Sequence, residues 1–319
     1  MRVARIDHDG APRTAVVGEE TLHLLPSAIG VLDILCVPEA QRDAIAAQST
    51  EQVPLAGARL LAPIEPASLR DFSAFEQHLE GAVMLTGGPD AKVFEEWYNG
   101  PACYFSNPHS IAGPDEVICA PPGCEALDLE LELAVVIGGR GRDLTPEQAH
   151  EYIVGYTIWN DWSARDLGMR ELKLPFGFCK AKDFANTLGP WIVTPDELEP
   201  YRDGDRLDLE TRASINGVEL GTDTIANMAW SFDELVAHAA RGAWIAPGDV
   251  IGSGTTGAGC LMELWGRNQR HEPAPLAEGD EVVLTVEGVG TLTNRIGPPV
   301  PSPGALPAAR PRRHPLPAA

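Results

Sequence analysis

The stretch Leu127-Asp128-Leu129-Glu130-Leu131-Glu132-Leu133-Ala134-Val135-Val136-Ile137 alternates leucine with acid and then turns wholly apolar. In a strand, alternate side chains share a face, so the leucines line one side and Asp128, Glu130 and Glu132 the other. Carboxylates two apart on one face lie roughly 6–7 Å from each other, close enough to repel. The pattern leaves two readings open: an acidic edge screened by water, or a cation held between the acids. The apolar continuation bears on the choice, because both faces of 134–137 belong in a core and acids beside a core need a partner. A second acid ends a strand-like run at Trp159-Asn160-Asp161-Trp162, flanked by tryptophans. Oxygen ligands without zinc-type His or Cys spacing suit a hard cation, Mg²⁺ first and then Mn²⁺ or Ca²⁺.

Outward from this stretch, the chain divides at the Pro-containing passage IEPASL. Residues 1–66 form a small N-terminal α/β module: strands RVARI and TAVVG around the turn DHDGAP, then a helix over about Glu39 to Gln48. Residues 67–297 form the main domain. Within it we expect helix and loop over 74–98 and a mobile Gly/Pro-rich TGGPDAK segment. A helix runs from the Thr145-Pro146-Glu147 start to about Ile153. VGYTIWND, PWIVT, DLETRASING, DVIGSG and LMELW are expected as strands, and EVVLTVEGVGTLTNRI as a hairpin. Strands outnumber helices and do not alternate with them, so the expected class is α+β, mainly β. The Pro/Ala-rich tail, 298–319, is expected to be disordered.

The balance of 24 Lys+Arg against 46 Asp+Glu, net −22, repels phosphate backbones, so nucleic acid is not an expected partner. No apolar run has the length of a membrane span. The N-terminus lacks a signal-peptide core. The six cysteines show no C-x-x-C pair. A cytoplasmic protein with buried thiols is expected, with Cys179 and Cys260 near the motifs below.

The blocks LDLELELAVVIG (127–138), GYTIWNDWSARD (155–166), KDFANTLGPW (182–191) and GSGTTGAGCLMEL (252–264) resemble, in order and spacing, the fumarylacetoacetate hydrolase family. With GDEVVLTVEGVGTLTNRI the resemblance covers residues 67–297. It implies a mixed β-sandwich roll, an incomplete barrel, assembled as a homodimer. It implies Mg²⁺ held by Glu130, Glu132 and Asp161, with Asp71 as a fourth ligand in the hydrolase proper. His78, seven residues after Asp71, matches the family's general base, and Glu263 matches the glutamate that orients it. Many relatives instead carry His-x-x-Glu on a lid helix; here Gly81 stands at that place. Lys182 matches a lysine near the metal and the substrate oxygens, and Arg165 an arginine facing the substrate. A family glutamine is replaced by Gly168. Thr255, beside Gly254 in the Gly-Ser-Gly-Thr turn, matches a threonine that holds a substrate carboxylate, and Tyr104 lines the pocket. Residues 82–95 are placed as a lid.

The activity so implied is Mg²⁺-dependent hydrolysis of a C–C bond in a small dioxo acid, acylpyruvate or fumarylacetoacetate-like, through a metal-stabilised enolate. The same chemistry serves isomerases, hydratases and decarboxylases of 2-oxo-dienoic or 2-oxo acids in aromatic catabolism. A metal-stabilised binding protein without catalysis is the third reading.

Overall fold

The computed structural model describes residues 1–174, 176–310 and 313. Two sheets dominate. The larger has twelve strands, and the acidic stretch supplies one near its middle, Leu131–Ile137. That strand pairs antiparallel with Ile153–Asn160 on one side and with Asp249–Gly252 on the other. Asp249–Gly252 runs parallel to Ser68–Phe72, which pairs in turn with the edge strand Cys103–Ser106. In the other direction the order continues through Asn186–Val193 to Arg2–His8, Ala11–Val17, Thr21–Leu24 and Glu51–Pro54. The N-terminal hairpins therefore extend the main sheet, joined by the pairing of Arg2 and Val3 with Val193 and Ile192. The path has two free ends, so the sheet is not closed. The second sheet orders Val218–Thr224, Glu210–Ile215, Glu281–Val286, Gly290–Ile296 and Val117–Ile118. The expected α+β, mainly β class, with an open mixed roll, is what the chain adopts.

The alternation in the acidic strand explains its place. Leu131, Leu133, Val135 and Ile137 join the core shared with the second sheet, while Ala134 and Val136 pack into the cluster on the opposite face. Burying each leucine contributes about 1.5–3 kcal/mol. Both faces are covered, which leaves Glu132, on the Ala134 side, with no exposed surface.

Four expectations are corrected. The acidic stretch is not one strand: Leu127–Asp128 pairs with Ser163–Ala164, and the ladder resumes only at Leu131. LMELW is not a strand but opens the helix Leu261–Asn268. Its apolar residues Leu261 and Trp265 stand one turn apart on the buried side, a spacing that a five-residue window cannot tell from a strand. The helix at Thr145 has its expected cap but ends at His150, since Ile153 already belongs to a strand. Of the expected lid 82–95, residues 82–87 are fixed as the end of the helix Glu76–Gly87, which docks on Leu261–Asn268. A Cβ on Gly266 would sit 1.8 Å from the Gly81 carbonyl oxygen, so the two glycines permit that crossing. Residues 298–310 are exposed and carry no regular structure. The disorder expected at 311, 312 and 314–319 concerns residues outside those described.

Candidate metal and active site

The break in the acidic stretch builds the site. At Glu130 the backbone leaves the ladder: its N–H donates to Asn160 Oδ1 at 2.9 Å, and its carbonyl accepts from Asp161 N at 3.2 Å. This double tie brings the end of the 153–160 strand beside Glu130 and turns Asp161 toward Glu132. From the neighbouring strand, Asp71 lies in register with Gly252. Oxygens of Asp71, Glu130, Glu132 and Asp161 come within 4.8 Å of one another, and all four residues are buried. Gly252 keeps the space open, because a Cβ there would lie 2.6 Å from Glu132 Oε2 and 2.7 Å from Asp71 Oδ1.

Among the described residues, both Glu132 oxygens and Asp161 Oδ1 are buried without a hydrogen-bond partner. Such groups are costly unless something else meets them. Two cations reach part of the cluster. Lys182 Nζ donates to Asp161 Oδ2 at 2.6 Å and also to Glu130 Oε2. Arg165 Nη2 lies 2.7 Å from Glu130 Oε1. The Tyr104 hydroxyl donates to Asp161 Oδ2. These charges do not suffice. Burial alone would raise Glu130, but Arg165 and Lys182 overrule it and hold it well below the usual carboxylate range. Burial pushes Asp71 up to about 7, with Asp161 and Glu130 adding to the shift. Burial likewise lifts Asp161 to about 6 against the pull of Lys182. Burial and then Asp71 drive Glu132 well above its ordinary value. An oxygen-only cradle with orphaned acceptors and surplus negative charge fits a hard dication held by Asp71, Glu130, Glu132 and Asp161.

His78 comes to this cluster on the helix Glu76–Gly87. Its Nε2 is 3.9 Å from Glu130 Oε1, and its Nδ1 is 3.4 Å from Cys260 Sγ. Burial lowers its pKa to about 4, with Arg165 and Lys182 assisting against the opposite pull of Glu130. The imidazole is therefore neutral near pH 7. The expected partnership with Glu263 is not made. The Glu263 carboxylate accepts instead from Ala258 N at 2.7 Å, Arg267 Nη2 at 3.0 Å and Gln77 Nε2 at 3.2 Å. Glu263 ties the two docked helices and the Gly-rich turn together, and Cys260 is the side chain that touches His78.

The Gly254 N–H donates to Asp71 Oδ1 at 3.2 Å, and its φ of +82° suits glycine. A Cβ there would meet the Phe72 carbonyl oxygen at 2.5 Å. Thr255 follows it, buried. At Gly168, Phe178 occupies the space where a side chain would project: a Cβ would find Phe178 Cε1 at 3.2 Å. Phe178 also stands edge-on to Tyr104 with ring centroids 5.8 Å apart.

Two residues escaped the sequence reading. Asp128, expected on the acid face, instead takes N–H bonds from Leu129, Leu261 and Met262 and pairs with Arg165, with Nε at 2.8 Å. It thus caps the helix that carries Glu263 and aims Arg165 at Glu130. Gly252 had no signal in DVIGSG to set it apart.

Comparison with known proteins agrees with this geometry. The model described as "Fumarylacetoacetate (FAA) hydrolase C-terminal" matches residues 69–297, and "Rv2993c-like, N-terminal" matches residues 1–63. The chain belongs to the fumarylacetoacetate hydrolase family, whose members include hydrolases and isomerases. It is 27% identical to a fumarylacetoacetase of Oryza sativa subsp. japonica over 78% of this chain and 72% of that protein. It is 30% identical to the oxaloacetate tautomerase YisK of Bacillus subtilis over 76% of this chain and 74% of that one. Among solved structures, the fumarylacetoacetate hydrolase of Exiguobacterium antarcticum superposes with a TM-score of 0.73 at 27% identity, covering 93% of this chain and 99% of that one.

Proposed function

We propose that the chain is a divalent-metal-dependent hydrolase, Mg²⁺ being the favoured ion, that cleaves a C–C bond in a small dioxo acid such as an acylpyruvate. The observation that carries this reading is the buried His78 at 3.9 Å from one of four clustered acids, two of which have oxygens unpartnered among the described residues. When bound, the dication supplies Lewis-acid polarisation of the substrate's oxygens.

The chain's own residues supply the rest. His78 accepts a proton from water that attacks the substrate carbonyl. The Lys182 ammonium stays charged, because Asp161 and Glu130 raise its pKa despite burial. Burial and then Asp161 keep the Tyr104 hydroxyl protonated. Lys182, with three N–H donors, can stabilise negative charge as it develops on oxygen, while the single Tyr104 proton holds Asp161 Oδ2. Arg165, fixed by Asp128, holds Glu130 ionised. Phe178, packed where a polar residue stands in the hydrolase proper, gives the pocket an apolar wall and favours substrates whose distal arm is uncharged.

Replacing His78 by Ala should lower turnover of acylpyruvates by about 10²–10⁴-fold and leave Mg²⁺ affinity within a few-fold. Unchanged turnover removes His78 as base and favours the isomerase or tautomerase reading, which needs an enolate but no positioned water.

A further inference from the structure

Cys260 has no part in the chemistry above, yet it has no exposed surface and lies against the base. We propose that His78, Cys260 and Glu130 form a second metal site, one that takes a thiolate-seeking dication such as Zn²⁺ or Co²⁺ beside the oxygen-only site. One ligand atom from each residue lies within 4.8 Å of the other two, and all three residues are buried. Metal bonds of about 2.3 Å to sulfur and 2.0–2.1 Å to nitrogen, at a tetrahedral angle, place those atoms about 3.6 Å apart. The observed separation between Cys260 Sγ and His78 Nδ1 is 3.4 Å. Glu130 is built to be shared. Its Oε2 is turned to Lys182, which also holds Asp161, while its Oε1 lies 3.9 Å from the far imidazole nitrogen, Nε2, so a metal on Nδ1 beside the thiolate must draw that oxygen along the ring edge as it binds.

Ligand type separates the two sites. Carboxylates alone suit Mg²⁺, whereas imidazole with thiolate selects later transition metals. Charge balance allows both to fill. Five buried acids, Asp71, Asp128, Glu130, Glu132 and Asp161, face two buried cations, Arg165 and Lys182. One dication leaves a single negative charge, and a second dication bound with a thiolate cancels it. Binding replaces the S–H bond of Cys260 by a metal–sulfur bond, and the proton passes to solvent. Arg165 Nη2, now 2.7 Å from Glu130 Oε1, must yield that oxygen while keeping Asp128. A metal so placed engages the His78 imidazole and inhibits the enzyme. That consequence alone rests on the function proposed above.

The test is to titrate Co²⁺, without oxygen, into protein saturated with Mg²⁺ and to follow thiolate-to-cobalt charge-transfer absorption in the near ultraviolet. One equivalent should produce the band. Cys260→Ser should abolish it and weaken Co²⁺ binding at least about 100-fold, with Mg²⁺ affinity and far-ultraviolet circular dichroism retained. A second measurement serves if that variant fails to fold. Iodoacetamide on the native protein blocks the exposed Cys36, Cys103 and Cys179 and spares the buried Cys260, so the band should survive. No band at saturation, a band that persists in Cys260→Ser, or a band lost on alkylation overturns the proposal. None of these readouts needs turnover, so a failed hydrolase assignment leaves the metal result standing.

Discussion

Asp128 and Glu132 come from one alternating stretch, and neither has exposed surface. Asp128 accepts three backbone N–H bonds and an arginine, so every lone-pair direction that matters is met from within the chain. Glu132 finds no hydrogen-bond partner among the described residues: both its oxygens are orphaned against Asp71 and Asp161. The first end of the stretch is finished by the fold, and the second is left for a ligand. Burial of a carboxylate is the same event in both places, and the partners decide whether it stabilises structure or reserves a site.

The sharpest way to break this contrast is Asp128→Ala. It takes one of the two carboxylates from Arg165, leaving that guanidinium to Glu130, and strands the N–H groups of Leu261 and Met262 in the interior. Loss of one partner from a buried pair costs about 3–5 kcal/mol, read as a lowered urea midpoint. A loss below about 1 kcal/mol would mean that Asp128 is as dispensable to the fold as we take Glu132 to be.

Glu132→Gln should do the opposite. Removing one charge from the crowded acids leaves the metal-free protein as stable as before or more so, while Mg²⁺ affinity by calorimetry falls at least about 100-fold. A variant that binds Mg²⁺ normally but unfolds easily would reverse the assignment of the two ends.

The pH dependence of the metal-free protein is a smaller effect and isolates Asp71. Its folded-state pKa of about 7 lies above the unfolded value near 3.8. A raised carboxyl pKa means that the folded form holds the proton more tightly. The stability so contributed is complete below the unfolded value and is lost as pH rises toward 7. His78, depressed to about 4, works the other way between that value and 6.5. The comparison is therefore wild type minus Asp71→Asn, which cancels the histidine. In chelator, that difference in melting temperature should fall from pH 5 to 7, and Mg²⁺ should reverse it at pH 7. A flat difference would show that Asp71 is not held among repelling acids.

Much of this was legible locally. The 153–160 strand, the 281–296 hairpin and the pairing of Arg2–His8 with Ala11–Val17 follow from alternation and turn residues. Asp71, Glu130, Glu132, Asp161, Lys182 and Tyr104 are legible from motif register, and the structure brings them together. What escaped depended on distant partners. The break at Leu129–Glu130 is made by Asn160 and Asp161, thirty residues on, and period-two alternation runs straight through it. The helix at Leu261 is capped by Asp128 rather than by a neighbour, so its start carries no local signature. The parallel strand Ser68–Phe72 gave no alternation, since four of its five residues are buried. The helix Phe232–Ala240, by contrast, carries a local signature, the capping box that Ser231 and Glu234 form. His78 was matched to Glu263 by register, but that match says nothing of the bonds Ala258, Arg267 and Gln77 make to the same carboxylate.

The smallest predicted effect uses a second helix cap as a control for the first. Thr145 caps the helix Pro146–His150 through a bond from Gln148 N at 3.4 Å, at the surface. Water can replace that acceptor in Thr145→Ala, so the cost should be about 1 kcal/mol. Mg²⁺ affinity and turnover should not move, because that helix packs on Phe232–Ala240 and, among the described residues, makes no hydrogen bond to the acids. Asp128 caps the buried start of Leu261–Asn268 from the interior, with no water to take its place. If Thr145→Ala cost as much as Asp128→Ala, the large effect at Asp128 would come from capping alone. The Arg165 pair would then contribute nothing, and Arg165 would lose its claim to be aimed at Glu130 by that aspartate.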